Sequence, residues 1–298
     1  RTQTGPFPAL AADTATILAA DRNGTMTGID AATGTPSWST TLSDPVMYRL
    51  YSAPALVDGR GFAGNGRRFA ALGIQDGRVM WDTPDVGAGF WPNYAGAAHD
   101  GKRVYAVVPG RGVYALNATT GAAEWQAEKI PVNTINPQTP ATADGRVFII
   151  SQGTVYALAA ATGAELWRGK VPGKGRQGAS PVVGPMGVIV AGDTGIACLD
   201  AATGAPRWTN NDLAALRKNG KGRFYFESHI LATPAVSGGI VHIATTDGEL
   251  AALDAETGKT LGILELGRPF AASPIVSGNA VFLTSYDGTA FGLVSTAP

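Results

Sequence analysis

The chain has 298 residues, with 23 basic and 23 acidic side chains, so its formal net charge is zero. That balance removes the electrostatic drive for following a nucleic-acid backbone or an anionic membrane surface. With 40 glycines, 19 prolines, 45% hydrophobic and only 15% charged residues, a polar disordered chain is excluded and a turn-rich, mostly β protein is expected. The single cysteine, Cys198, rules out an internal disulfide and a thiolate metal site. No uncharged apolar run reaches the roughly 18 residues of a membrane span. The chain opens at Arg1 rather than Met, and sequence upstream of it, a leader or another domain, is expected.

In chain order the predicted elements repeat. Phe7-Pro8 opens a β-rich run to Asp21-Arg22-Asn23-Gly24, and Ile29-Asp30-Ala31-Ala32-Thr33-Gly34 then leads to Trp38. A second copy starts at Pro54 and passes Leu72 and Asp76-Gly77 to Trp81. A third starts at Gly96 and runs through Leu116-Asn117-Ala118-Thr119-Thr120-Gly121 to Trp125. The fourth begins at Pro140, with Thr162-Gly163 and Trp167, and the fifth at Pro181, with Thr203-Gly204 and Trp208. An insertion over 209–231 follows. Its first part, 211–218, reads as a short helix capped by Asn or Asp. The sixth copy, from Pro234, has Asp254-Ala255-Glu256-Thr257-Gly258 but carries Gly262 in the tryptophan place. The seventh, from Pro274, passes Asp287-Gly288 and ends before any Thr-Gly turn.

The tryptophans of the repeat motif stand 43, 44, 42 and 41 residues apart. Each copy reads as four short strands. Proline suits the start of the first because it has no N–H to donate. The second strand is apolar, a two-residue turn such as Asp-Gly closes the next hairpin, the third strand ends in the Thr-Gly turn, and the tryptophan lies on the fourth. The expectation is an all-β, seven-bladed β-propeller of four-stranded antiparallel blades, one domain over 1–298, with blades starting near 8, 54, 96, 140, 181, 234 and 274. The repeated tryptophans should pack between blades. The last blade should be incomplete, with three strands, or three plus a fragment from Arg1 to Gly5, and its outer edge open for pairing.

The Asp-Ala-x-Thr-Gly-x-x-x-Trp unit resembles the repeat of the pyrroloquinoline quinone (PQQ)-like β-propeller family. That repeat builds quinoprotein alcohol dehydrogenases, a periplasmic outer-membrane assembly lipoprotein and extracytoplasmic sensor domains of some bacterial kinases. The resemblance covers nearly the whole chain, and it specifies fold far better than function. It implies an extracytoplasmic location. The dehydrogenases of the family are about twice as long, and several have adjacent cysteines beside the quinone and a Ca²⁺ site of Glu, Asn and Asp. With Cys198 alone, in Ala197-Cys198-Leu199 on a strand, no PQQ and no other cofactor or metal is expected.

Nucleophile elbows and phosphate loops are absent from the sequence. Recognition should fall to the interblade connections, which vary while the short hairpins are generic. They share one face with the hairpins after the second strands, and they hold Tyr51, Tyr94, Asn136, Gln177, Tyr225 and Phe270. Five residues before the start of the next blade stand Arg49, Trp91, Ile135, Arg176 and His229, with Arg268 one step further back. Arginines, a histidine and a tryptophan around one funnel would suit a small anionic or aromatic ligand, or a protein or acidic peptide. Glu227 and His229, two apart on an extended segment, would point the same way and form an acid–base pair. The primary reading is a noncatalytic binding or scaffolding propeller. The alternative is an enzyme using the same funnel on a small anionic or aromatic substrate.

Overall fold

The computed structural model describes residues 9–21, 24–42, 53–64, 69–83, 86, 96–132, 138–173, 179–215, 232–270 and 272–294. Their strands form seven antiparallel sheets with strand order following chain order, six of four strands and the last of three. The fold is the seven-bladed β-propeller expected. The sheets span 9–41, 55–83, 98–127, 141–170, 182–210, 235–265 and 275–294. Ala55, Ala141, Val182, Ala235 and Ile275 each begin a first strand directly after a proline. Pro8 and the Arg1 to Gly5 fragment lie outside the described residues. The one described helix, Asp212–Ala215, is capped by Asn210, whose Oδ1 accepts the Asp212 N–H at 2.8 Å. The rest of the helix expected over 211–218 lies outside the described residues.

Two compact units divide the chain, Arg1–Val147 with Ala159–Ala164, and Phe148–Leu158 with Glu165–Pro298. In the first, Leu18, Met26 and Leu72 fill the space between sheets one and two, and Phe62, Phe69, Trp81, Val104 and Leu116 that between two and three. In the second, Ile189, Cys198, Trp208, Val241 and Leu253 pack together. Leu250, Phe270 and Leu283 form a smaller cluster between sheets six and seven. Cys198 is a core residue, and burial pushes its thiol up to about 11.

The repeat motif now has a physical reading. Asp30 Oδ1 accepts from the N–H groups of Ala32 and Thr33 at 3.1 and 2.7 Å and from the Thr33 hydroxyl at 2.8 Å. Asp200 and Asp254 hold the same three partners in their own turns. The chain then closes with the Gly34 N–H on the Asp30 carbonyl at 2.8 Å. Just before each turn the third and fourth strands shift register by a bulge, which re-aims the next outer-strand residue. That residue is the tryptophan in sheets one to five and Gly262 in sheet six.

Each indole reaches the next sheet. The N–H of Trp38 donates to the Ile74 carbonyl at 2.7 Å, Trp81 to Ala118 at 3.1 Å and Trp125 to Ala160 at 2.9 Å. Trp167 donates to Ala201 and Trp208 to Ala255, both at 3.0 Å. The rings lie on the turn glycines of those sheets, Gly77, Gly121, Gly163, Gly204 and Gly258, where an added Cβ would fall 2.2–2.6 Å from an indole atom. These glycines also have φ of 68–74°, a left-handed conformation costly for other residues. So glycine is required twice over, by the turn and by the ring above it.

The second-to-third-strand hairpins differ from the two-residue Asp-Gly turn expected. At Ser285 to Thr289 the Gly288 N–H donates to the Ser285 carbonyl, the Ser285 N–H to Thr289, and Gly288 has φ of 84°. This is a longer loop with glycine after the turn, because the Asp carboxylate caps the following N–H instead of occupying a positive-φ site. A two-residue turn does close this hairpin in sheet four, with Gln152 and Gly153 both at positive φ.

Trp167→Ala is expected to destabilise the protein by about 3 kcal/mol or more, through lost ring burial and an orphaned Ala201 carbonyl. Denaturant unfolding measures this, and an unchanged midpoint would contradict the packing role. A second expectation concerns acid. The Arg207 guanidinium, ahead of the Thr203 hydroxyl, lowers the Asp200 carboxyl from 3.8 to about 2. Its folded value is depressed, so its contribution is complete above the unfolded value and is lost as pH falls toward about 2. The stability difference between wild type and Asp200→Asn should therefore stay constant above about pH 5 and close below about pH 4. A difference that persists unchanged to pH 2 would count against it.

Candidate functional site

The two ends of the sheets are built differently. At one end the Thr-Gly turns fold onto the first hairpins, as in the bonds from Ile74 N–H to Gly59, Ala118 to Lys102 and Ala255 to Gly239. At the other end the connections leaving the fourth strands lie on the second hairpins. The N–H groups of Leu42, Val171 and Leu266 donate to Gly24, Gly153 and Gly248 respectively. This is the shared face anticipated for the connections and those hairpins.

Of the candidate ligand and catalytic residues, Arg49, Tyr51, Trp91, Tyr94, Asn136, Arg176, Gln177, Tyr225, Glu227 and His229 lie outside the described residues. Arg268 is described. Its backbone passes over the sixth-sheet hairpin, where a Cβ on Gly248 would come 2.7 Å from the Arg268 nitrogen. Its guanidinium pairs with Asp287 in the seventh-sheet hairpin, with the two side chains 50% and 44% exposed. Hydrogen bonds from Ser285 first, then Thr289, and the Arg268 pair hold the Asp287 carboxyl well below the usual carboxylate range. Arg268 thus stands at the connection end with its charge already shared.

Phe270, expected among the recognition aromatics, is instead fully buried. Its N–H bonds to Thr245 and its ring meets Phe291 at 5.6 Å, edge to face. It closes the small core between sheets six and seven, which lacks a tryptophan.

Within the first unit the first strands of sheets one to four line a cavity of about 520 Å³, bordered by Ala12, Pro54, Ala98, His99 and Thr142. The Ser/Thr before the blade-opening prolines serves this wall. Thr139 Oγ1 accepts the Gly96 N–H at 2.8 Å, a bond a proline at 96 could not make. In the second unit Thr233 Oγ1 accepts from Ser180, and Ser273 Oγ from Thr233, both at 3.1 Å. His99 sits on the first strand of sheet three with its Nδ1 buried and unpartnered. A buried polar atom without a partner is uncommon. Glu249 was also missed. It is 2% exposed at the connection end of sheet six and accepts from the Thr245 hydroxyl. Its only sequence signal is a carboxylate opening the strand Glu249–Asp254 ahead of four apolar residues.

A family profile described as outer membrane protein assembly factor BamB matches residues 1–152, 66–210, 151–227 and 192–296. The chain belongs to this family of PQQ-type repeats. Serine/threonine-protein kinase AfsK of Streptomyces griseus is 30% identical over 191 residues, 61% of this chain and 23% of the kinase. BamB of Yersinia pestis is 27% identical over 256 residues, 84% of this chain and 54% of that protein. The chain thus spans about half or less of the length of these relatives. Among solved structures, BamB from Moraxella catarrhalis superposes with a TM-score of 0.71 at 17% identity, covering 93% of this chain and 81% of that one. No helix among the described residues is long and apolar enough to cross a membrane.

Proposed function

We propose that the chain is a noncatalytic binding scaffold working outside the cytoplasm, with the connection end and its funnel as the binding face. The observation that carries this reading is the division of labour within each sheet. Turns, bulges and tryptophan contacts repeat from sheet to sheet, whereas the arginines and aromatics that differ between copies collect in the connections. A rigid repeated frame with variable loops at one end is the usual arrangement for recognition. Two relatives named as outer membrane protein assembly factors favour a protein or acidic peptide as the partner over a small anionic or aromatic molecule. The family likeness also supports the extracytoplasmic location.

A second reading has one observation behind it. His99 borders the cavity of the first unit and its buried Nδ1 has no hydrogen-bond partner, and an imidazole so placed could serve acid–base chemistry on a small substrate.

The test compares wild type with a variant carrying Arg49→Glu, Arg176→Glu and Arg268→Glu. Exposed ion pairs contribute little to stability, so losing the half-exposed Arg268–Asp287 pair should leave the fold intact. Immobilised wild type should retain envelope proteins that are released as salt rises and that the variant, at equal melting temperature, fails to hold. Identical retention by both proteins would contradict the reading. So would turnover of a small molecule that is lost in His99→Ala.

A further inference from the structure

In every four-stranded sheet one row of cross-strand neighbours runs from the second strand to the outer one. It reads Leu18–Gly28–Trp38 in sheet one, Phe62–Ala71–Trp81 in sheet two, Tyr105–Ala115–Trp125 in sheet three and Ile189–Cys198–Trp208 in sheet five. In sheet six the same row is His242–Ala252–Gly262. The bulge that aims the outer residue is retained there, between Ala252 and Leu253. So the backbone still presents a tryptophan place, filled by a residue with no side chain.

The consequence is a cleft between sheets six and seven, about 540 Å³ in volume. An added Cβ on Gly262 would meet nothing within 4 Å, in contrast to the turn glycines that lie under indole rings. His242, Leu250, Ala252 and Gly262 form one wall, and Val281 and Leu293 face them from sheet seven. No Asp, Glu, Lys or Arg lines it, so a charged guest would lose hydration without a partner. The volume falls in the range of small-molecule sites, and an apolar lining with few polar groups is their usual character.

We propose that this cleft binds a free, neutral, planar aromatic molecule of one or two fused rings, seated where the other blades hold an indole. Indole-sized guests fit the lost volume, as apolar cavities left by missing side chains take up ligands of matching shape. The inner wall supplies a ring contact. In three sheets the residue at the place of His242 is aromatic and meets the indole at 5.8–5.9 Å with ring planes tilted by 39–42°, as Phe62 with Trp81, Tyr105 with Trp125 and Phe148 with Trp167. His242 offers an imidazole in the same relation to the guest. Burial lowers its pKa, which keeps that ring uncharged at neutral pH and suits it to a neutral aromatic face. The site is separate from the connection end and does not depend on the function proposed for it.

Indole itself is the probe. Titration calorimetry on the full chain should give a dissociation constant on the order of 100 μM, reasonable for nine non-hydrogen atoms in an apolar cleft. The His242 ring-proton resonances should shift on saturation. Gly262→Trp, whose backbone needs no positive φ, should raise or preserve the melting temperature and weaken indole binding at least tenfold. Ala252→Leu, which fills the cleft from the neighbouring strand, provides the same test should Gly262→Trp fail to fold. Unaltered affinity in a folded cleft-filling variant would overturn the proposal, as would no indole binding up to its solubility. Binding of a tryptophan-bearing heptapeptide without binding of indole would also overturn it, assigning the cleft to a partner's side chain.

Discussion

The contact between an outer-strand indole and the turn glycine of the next sheet is what the rest of the structure depends on. A short, twisted four-stranded sheet has a narrow outer strand that cannot by itself fill the widening gap to its neighbour. A tryptophan supplies both bulk and a donor. Its ring buries roughly 2–3 kcal/mol of transfer free energy, and its N–H satisfies a carbonyl that the turn would otherwise leave exposed. The other members of the motif serve this contact. The carboxylate of Asp30 or Asp200 ties down the turn, the bulge aims the ring, and glycine at φ near 70° lets the ring close in.

Where that contact is given up, chemistry becomes available. Sheet six has no tryptophan in its outer strand, and sheet seven has, among the described residues, neither an outer strand nor a Thr-Gly turn to receive one. Both halves of the clasp are missing at the same interface. Phe270 and Phe291 close only part of the gap, and the remainder is the cleft beside His242. Seven of the eleven exposed large hydrophobic side chains among the described residues also belong to these two sheets, including Leu261, Ile275, Phe282 and Val294. The last two sheets are thus the least self-satisfied part of the molecule, while sheets two to five bury nearly the whole of their inner strands.

Much of this was legible in the sequence because the motif is a local hydrogen-bonding device repeated at fixed spacing. Asp, Thr, Gly and Trp each have a separate physical duty, so the sheet count, the first-strand starts and the three-stranded last sheet could be read directly. The hairpin geometry could not, since Asp-Gly serves equally a two-residue turn, as at Asp58-Gly59, and a longer loop ending in glycine, as at Asp287-Gly288. Phe270 was misplaced because an aromatic in a connection looks the same whether it faces a ligand or plugs a neighbouring core. His99 and Glu249 gave almost no signal, because burial depends on which sheets come together and not on spacing within one. Of the residues read as a recognition surface, Arg268 and Phe270 are among those described, and the pairing of Arg268 with Asp287 comes from a hairpin nineteen residues away in another blade, a proximity that no local pattern encodes.

A double-mutant cycle at Trp208 and Gly258 tests the central contact most directly. Gly258 has φ of 71°, and its missing Cβ would lie 2.4 Å from the Trp208 ring. In the wild-type background Gly258→Ala must bear both backbone strain and a collision with the ring; once Trp208→Ala has removed the ring, only the strain of about 1 kcal/mol remains. The account predicts that the two substitutions are non-additive in unfolding free energy by more than about 1 kcal/mol. Additivity within about 0.5 kcal/mol would show that ring and glycine are neighbours without being coupled, and would contradict it.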